Sequence, residues 1–321
     1  MEILLVLQKI LSMFLIIFIG AFAYKINWLP QESEKHLTTL MINISCPCLV
    51  FYSMQAQERT EVMAGKAVQS ALFMAAVLIA CCFLSVFIVK LLRAPREDRG
   101  IYRMMIVFTN CGFMGYPLAE AVFGDEGLFL EIIANMIFNI VIFSAGALLL
   151  IYDQKTTGTM KDTLKKIFSI PLVSCIIGLF IFFLDIKFPP LLADTCELLG
   201  DMTAPLAMLL VGVQLCQSRV GRIVKNVRLL IITVIRLVVV PVGLFLGLMW
   251  VPKVLPVDPL VFCVVVFAMT MPAAAYIAVL ATRYNSNKIL AAEGIFLTTM
   301  FSLFTIPVFG VIFNLYLMNV A

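Results

Sequence analysis

Ten blocks of this chain are almost wholly apolar, and short polar stretches separate them. A helix needs about 20 such residues to cross roughly 30 Å of hydrocarbon. The pattern predicts ten membrane-spanning helices, near 4–24, 36–56, 68–92, 101–123, 129–152, 166–186, 191–216, 229–251, 258–282 and 289–317. The first block is too long for a secretory signal, Lys9 interrupts it, and no small-residue cleavage site follows. It therefore reads as a transmembrane helix. No separate soluble domain fits between the blocks.

Two blocks contain helix breakers in mid-span. Residues 109–118 read TNCGFMGYPL, and residues 267–284 read FAMTMPAAAYIAVLATRY. Gly and Pro both disfavour helix interiors. Unwound backbone is tolerated at membrane depth only where it is buried in protein or lines a wet cavity.

The chain also repeats itself. LTTLMINISCPCLV (37–50) matches CELLGDMTAPLAML (196–209). Leu40, Asn43, Ser45 and Pro47 fall on Leu198, Asp201, Thr203 and Pro205, each 158 residues further on. The same offset pairs Gly20 with Gly178, Asn135 with Glu293, Ser144 with Ser302 and Met114 with Pro272. Each half then holds five spans, an odd number, so the halves must lie in the membrane with opposite orientation. The expected fold is an all-α polytopic membrane protein with an inverted five-plus-five repeat. Its parts are an N-terminal repeat over 1–152, a short linker over 153–165 and a C-terminal repeat over 166–321. Secondary transporters use this plan, with discontinuous helices at matching places and the substrate between them.

Composition agrees. The chain is 63% hydrophobic and 13% charged, with mean hydropathy +1.08. Soluble domains are about half apolar and about a quarter charged. Lys and Arg set the orientation. The loops after odd-numbered spans hold 17 of them, including Lys35, Arg96, Lys161, Arg222 and Lys288, and the other loops hold Arg59, Lys66, Lys187 and Lys253. This bias puts the first set in the cytoplasm and both termini outside the cell membrane. It also accounts for the basic clusters without nucleic acid.

The candidate site follows from the breaks. Freed N–H groups at a half-helix N-terminus offer partial positive charge to an anion such as a carboxylate. Span 4 supplies Asn110, Gly112, Gly115 and Pro117, span 9 supplies Met271, Pro272 and Ala273, and span 2 adds Asn43. The rival reading is a pair of simple proline kinks. In span 5, Glu131, Asn135 and Asn139 are spaced by four residues and share one helix face. Asn135 and Asn139 either reach the anion or bond to neighbouring helices. Glu131 is expected at the outer interface. Asp201 and Glu293 are the candidates for proton coupling, because an intramembrane carboxyl is costly unless it is paired or hydrated. Arg236 is either a structural partner or a counter-charge for the substrate. Lys9 is expected to snorkel outward, and Glu120 faces either the cavity or the outer water.

NCGFMGYPL with the following AEAVFG resembles the span-4 motif of the auxin efflux carrier family. LTTLMINISCPCLVF resembles that family's second span, APLAMLLVGVQL its seventh, and MPAAAYIAVLATRYNSNKILAAEGIFLTTMFSLFTIPVF its last two. The short central region resembles the bacterial members, described as malate or malonate permeases. The resemblance implies ten spans in an inverted repeat, with spans 4 and 9 crossing at their breaks. It implies a small organic anion bound near that crossing. It further implies an elevator mechanism, in which spans 3–5 and 8–10 slide against a scaffold of spans 1, 2, 6 and 7. A homodimer is expected by analogy with elevator carriers.

Other classes fit less well. A sodium-coupled carrier of another anion, such as a bile-acid-like solute, would want clustered Glu, Gln, Ser and Thr beside the crossing. A channel would want a continuous polar pore face, and only the span-5 stripe offers one. A non-transporting receptor is the remaining alternative. The nine Cys include a CPC at 46–48, yet no ATP-hydrolysing domain or Gly-rich phosphate loop accompanies it. The chain therefore reads as neither a metal pump nor an enzyme, and no cofactor is expected.

Overall fold

The structure, a computed structural model, describes residues 2–151, 170–217, 226–248 and 257–320. The expected linker 153–165 lies outside them, as do parts of the sixth and eighth blocks. The described residues form helices and no strands.

Helix α1 (Glu2–Lys25) is followed by α2 (Gln31–Leu40), a π turn at Met41–Ser45, and α3 (Cys46–Ala56). Next come α4 (Glu61–Leu91), α5 (Arg99–Val107), a π turn at Cys111–Gly115, α6 (Tyr116–Val141), another π turn at Ile142–Gly146, and α7 (Ala147–Ile151). The second part holds α8 (Ile170–Phe183), α9 (Pro190–Asp201) and α10 (Thr203–Gln217). It continues with α11 (Val227–Val234), a π turn at Ile235–Val239, and α12 (Val240–Leu248). It ends with α13 (Pro259–Ala268), α14 (Tyr276–Arg283) and α15 (Lys288–Val320).

Seven stretches among the described residues are long and apolar enough to cross a membrane. One of them, Cys111–Leu150, runs for 40 residues, or about 60 Å at 1.5 Å per residue, twice the hydrocarbon thickness. It is two segments, because Gly124 turns the chain at φ 72°, ψ −164°. Only glycine adopts that conformation without strain. The counterpart reversal between α14 and α15 uses Asn285, at φ 52°. The apolar blocks 166–186 and 258–282 contribute the shorter apolar helices Ile170–Phe183 and Pro259–Ala268.

Packing follows the small residues. Helix α1 runs along α10, where Gly20 lies against the Leu209 backbone and Gly212 against the Ile17 carbonyl. Helix α3 packs on α8 and α9, with Gly178 against Val50 and Met54, and Gly200 against the Leu49 backbone. Lipid tails give helices no hydrophobic reason to associate, so close backbone contact at small residues takes over. Helix α4 packs on α5 and α6, and α13 packs on α6. The innermost segments are 101–109 and 261–274, buried at every residue. Large apolar side chains such as Leu72, Phe83, Phe87 and Phe304 face outward, as they must beside lipid.

Candidate functional site

The two innermost segments both lose helical form. Helix α5 stops at Val107, Phe108 is extended (φ −99°, ψ 121°), and helical form resumes at Cys111. Helix α13 stops at Ala268, and α14 begins at Tyr276. The gaps lie against each other. Thr109 and Ala273 form an isolated antiparallel bridge. The Asn110 N–H donates to the Pro272 carbonyl at 2.8 Å, and the Ala274 N–H donates to the Phe108 carbonyl at 3.0 Å. Each gap thus supplies the partners that the other needs where water is excluded. The Ala273 N–H finds the Thr298 hydroxyl at 3.1 Å.

The bridged pair is not the pair that the repeat offset aligns. A uniform offset of 158 places Met114 on Pro272. The structure instead sets Thr109 beside Ala273, 164 residues on. The first interruption falls at Phe108–Asn110, ahead of both glycines, and Pro117 sits at the start of α6. Proline is tolerated in a first helical turn because its missing N–H is not needed there.

Arg236 holds the other ends of these segments. It is fully buried on the π turn Ile235–Val239. Its Nη1 donates to the Ile106 carbonyl at 3.0 Å, and its Nη2 donates to the carbonyls of Met269 at 2.9 Å and Met271 at 3.1 Å. Its Nε reaches the Met271 carbonyl at 3.3 Å. These oxygens belong to the C-terminal ends of the first half-helices, where partial negative charge gathers. The guanidinium neutralises both ends at once. Arg236 is therefore a structural partner of the backbone, and it does not line the large cavity.

The N-terminal ends face the other way, into a cavity of 850 Å³. Ligand sites run from about 300 to 1,000 Å³. Gly112 and Phe113 from one half-helix line it, as do Ala275 and Tyr276 from the other. The first N–H groups of a helix have no intrahelical acceptor. Two positive half-helix ends therefore converge on one space. Among the described residues its wall carries one Lys, Lys288, and two carboxylates, Glu34 and Glu293. The partial positive charge at the crossing therefore comes from oriented backbone dipoles and not from a cluster of fixed cations.

Of the residues expected at the site, Asn110, Gly112, Asn135, Asn139 and Glu293 line this cavity. Among the described residues the Asn110 side chain makes no hydrogen bond, so it is available to a ligand. Asn135 Nδ2 donates to the Tyr116 hydroxyl at 2.6 Å, and Asn139 Nδ2 donates to the Asn135 carbonyl at 2.8 Å. Asn139 Oδ1 is buried without a partner. Gly115, Pro117, Met271, Pro272 and Ala273 shape the crossing from behind and do not reach the cavity surface. Asn43 is exposed on the π turn after α2, away from the cavity. Asp201 lines a separate small cavity with Glu120, Pro117 and Leu49. Lys9 is exposed.

Glu131 departs from expectation. It is 1% exposed, two turns inside the segment that starts after Gly124. The hydrophobic pattern starts span 5 at residue 129, several residues late, because the turn at Gly124 gives no hydrophobicity signal. Tyr116 and Thr298 carry no distinguishing signal in the sequence either. Both look like ordinary apolar-span residues until the interruptions are brought together.

The long apolar helices and the apolar exterior are those of a multi-pass membrane protein. Residues 5–310 match the model of the membrane transport protein family. The chain belongs to that family, the auxin efflux carriers. It is 24% identical over 314 residues to an uncharacterized transporter of Methanocaldococcus jannaschii, covering 95% of this chain and 97% of the relative. It is 25% identical over 314 residues to an uncharacterized transporter of Methanothermobacter thermautotrophicus, with the same coverage.

Proposed function

We propose that this protein is a secondary carrier of small organic anions, with the carboxylate held where the interrupted helices of spans 4 and 9 cross. The observation that carries this reading is the convergence of two half-helix N-termini and the unengaged Asn110 amide on one cavity. The free Asn139 Oδ1 adds an acceptor that suits a hydroxyl or acid O–H, as in malate. The aromatic wall of Phe113, Tyr116, Phe138 and Tyr276 also admits an auxin-like acid.

Alternating access fits the packing. The α1–α10 and α3–α8–α9 contacts form one glycine-lined body, and α4–α6 with α13 form another. The cavity lies between them and includes Glu34, Gln214 and Lys288. In this reading the positive-inside bias sets those residues toward the cytoplasm, and the arrangement corresponds to an elevator's inward-facing state. Ten spans in two inverted halves, outside termini, a plasma-membrane location and a homodimer belong to the same reading.

The test is uptake of labelled malate, malonate and indole-3-acetate into proteoliposomes. Uptake that falls at least tenfold in Asn110→Ala supports the site. Uptake unchanged by Asn110→Ala moves the site elsewhere and leaves the crossing a hinge. A sodium gradient that drives uptake without a pH gradient favours the bile-acid-carrier alternative.

A further inference from the structure

Glu131 is the one carboxyl among the described residues that is fully buried with both oxygens lacking a hydrogen-bond partner. It lies behind the crossing. A Cβ on Gly115 would come within 2.6 Å of Glu131 Oε1, so the glycine makes room for the carboxyl. One turn along the same face, Asn135 lines the cavity and bonds to Tyr116, and one turn further Asn139 does the same with Asn135. The stripe thus connects a hidden carboxyl to the place where the anion is proposed to bind.

Such a carboxyl cannot remain charged and alone, since an unpaired buried charge is neutralised by protonation or by a counter-ion. The titratable groups that act on its surroundings are the Cys111 thiol and the Tyr116 phenol, with the Cys46 and Cys175 thiols beyond Tyr116. Arg236 acts on the Cys111 side, but its donors are committed to the carbonyls of Ile106, Met269 and Met271. Helices α4 and α13, which pack on α6, bring Ser70 and apolar residues to this depth, and the Ser70 hydroxyl is committed to the Leu130 carbonyl. A hard metal cation wants several oxygen ligands, and the described residues hold no cluster of His, Cys, Asp or Glu suited to a metal. The neutraliser that needs no further ligands is a proton.

We propose that Glu131 is the proton-binding site of this carrier and couples a proton to the anion. This rests on the carrier reading above. An anion at the crossing and an ionised Glu131 one or two turns away would repel each other across a low-dielectric interior. Anion binding therefore favours the protonated acid, and proton binding favours the anion. The two travel together, so the protein is a proton symporter. Asp201 lies outside this arrangement, and Glu293 stands at the cavity wall with solvent access.

The first test needs no substrate. Infrared difference spectra of the purified protein in nanodiscs at neutral pH should show a protonated-carboxyl C=O band that Glu131→Gln removes. Glu131→Asp keeps the acid group and should keep a band, which covers a Gln variant that fails to fold. Absence of the band in the unaltered protein overturns the proposal. The second test is transport. Glu131→Gln should lose more than tenfold of malate or malonate accumulation driven by a pH gradient, and Glu131→Asp should recover part of it. Accumulation that survives the substitution, or that follows sodium, overturns the coupling role. A persistent band with no uptake of any acid would sink the substrate reading and leave the proton site standing.

Discussion

Ser45 and Thr203 share a buried hydrogen bond between their side chains, although 158 residues separate them. They are also the residues that the internal repeat sets on each other. Such a contact is what an axis between two inverted halves would produce, because only a residue on that axis can touch its own counterpart. The bond joins the π turn after α2 to the start of α10, and Thr203 also lines the cavity. A double-mutant cycle with Ser45→Ala and Thr203→Val should give a coupling of about 0.5–1 kcal/mol, the usual size between membrane helices. Thermal unfolding in detergent measures it. Additive effects of the two substitutions would break the contact apart.

Arg236→Met should be among the most damaging single changes. It leaves the carbonyls of Ile106, Met269 and Met271 without their donor. Each unsatisfied buried group costs about 1–3 kcal/mol. Arg236→Lys keeps the charge but cannot span three oxygens with the same fork, so it should fall between. Melting temperatures rank the three proteins. Equal stability for Arg236→Met would mean that the carbonyls find other partners.

Gly112 and Gly115 are three residues apart and should respond oppositely to alanine. At Gly112 the nearest atom to a new Cβ is Asn135 Nδ2, at 3.8 Å, which is ordinary contact. At Gly115 the Cβ meets Glu131 Oε1 at 2.6 Å and Cys111 Cβ at 3.3 Å. Gly112→Ala should fold like the parent. Gly115→Ala should lose about 1–3 kcal/mol through overpacking and should also shift the Glu131 infrared band. The same denaturation and spectra on both variants decide it.

Orientation can be read by labelling. In a cysteine-free background, Thr38→Cys or Val279→Cys on the cavity wall should react with an impermeant maleimide added from the cytoplasmic side. Glu58→Cys, exposed just past α3, should react from outside. The reverse pattern would invert the topology, and protection of Thr38→Cys by substrate would tie the cavity to binding.

Much of this was legible in the sequence. Hydrophobic blocks gave the helices, because lipid exposure imposes a simple length rule. Gly and Pro gave the neighbourhood of both interruptions. Their exact register was not legible, since the first helix fails at Phe108, an apolar residue with no breaker chemistry of its own. What stops it there is the bridge to Ala273, a contact between distant residues. Arg236 was visible as a charge in mid-span, but its three carbonyl partners come from two other segments. Glu131 was misplaced for a related reason: the turn at Gly124 is a backbone event, and hydropathy does not register it.

The bridge at Thr109 and Ala273 also bears on how the chain is made. While the first half sits in the membrane, the Asn110 N–H and the Phe108 carbonyl wait for Pro272 and Ala274, which are synthesised much later. Backbone groups in hydrocarbon without partners cost several kcal/mol each. The earlier segment therefore carries two backbone groups whose partners do not yet exist when it is made. The seam is one that neither segment can seal alone.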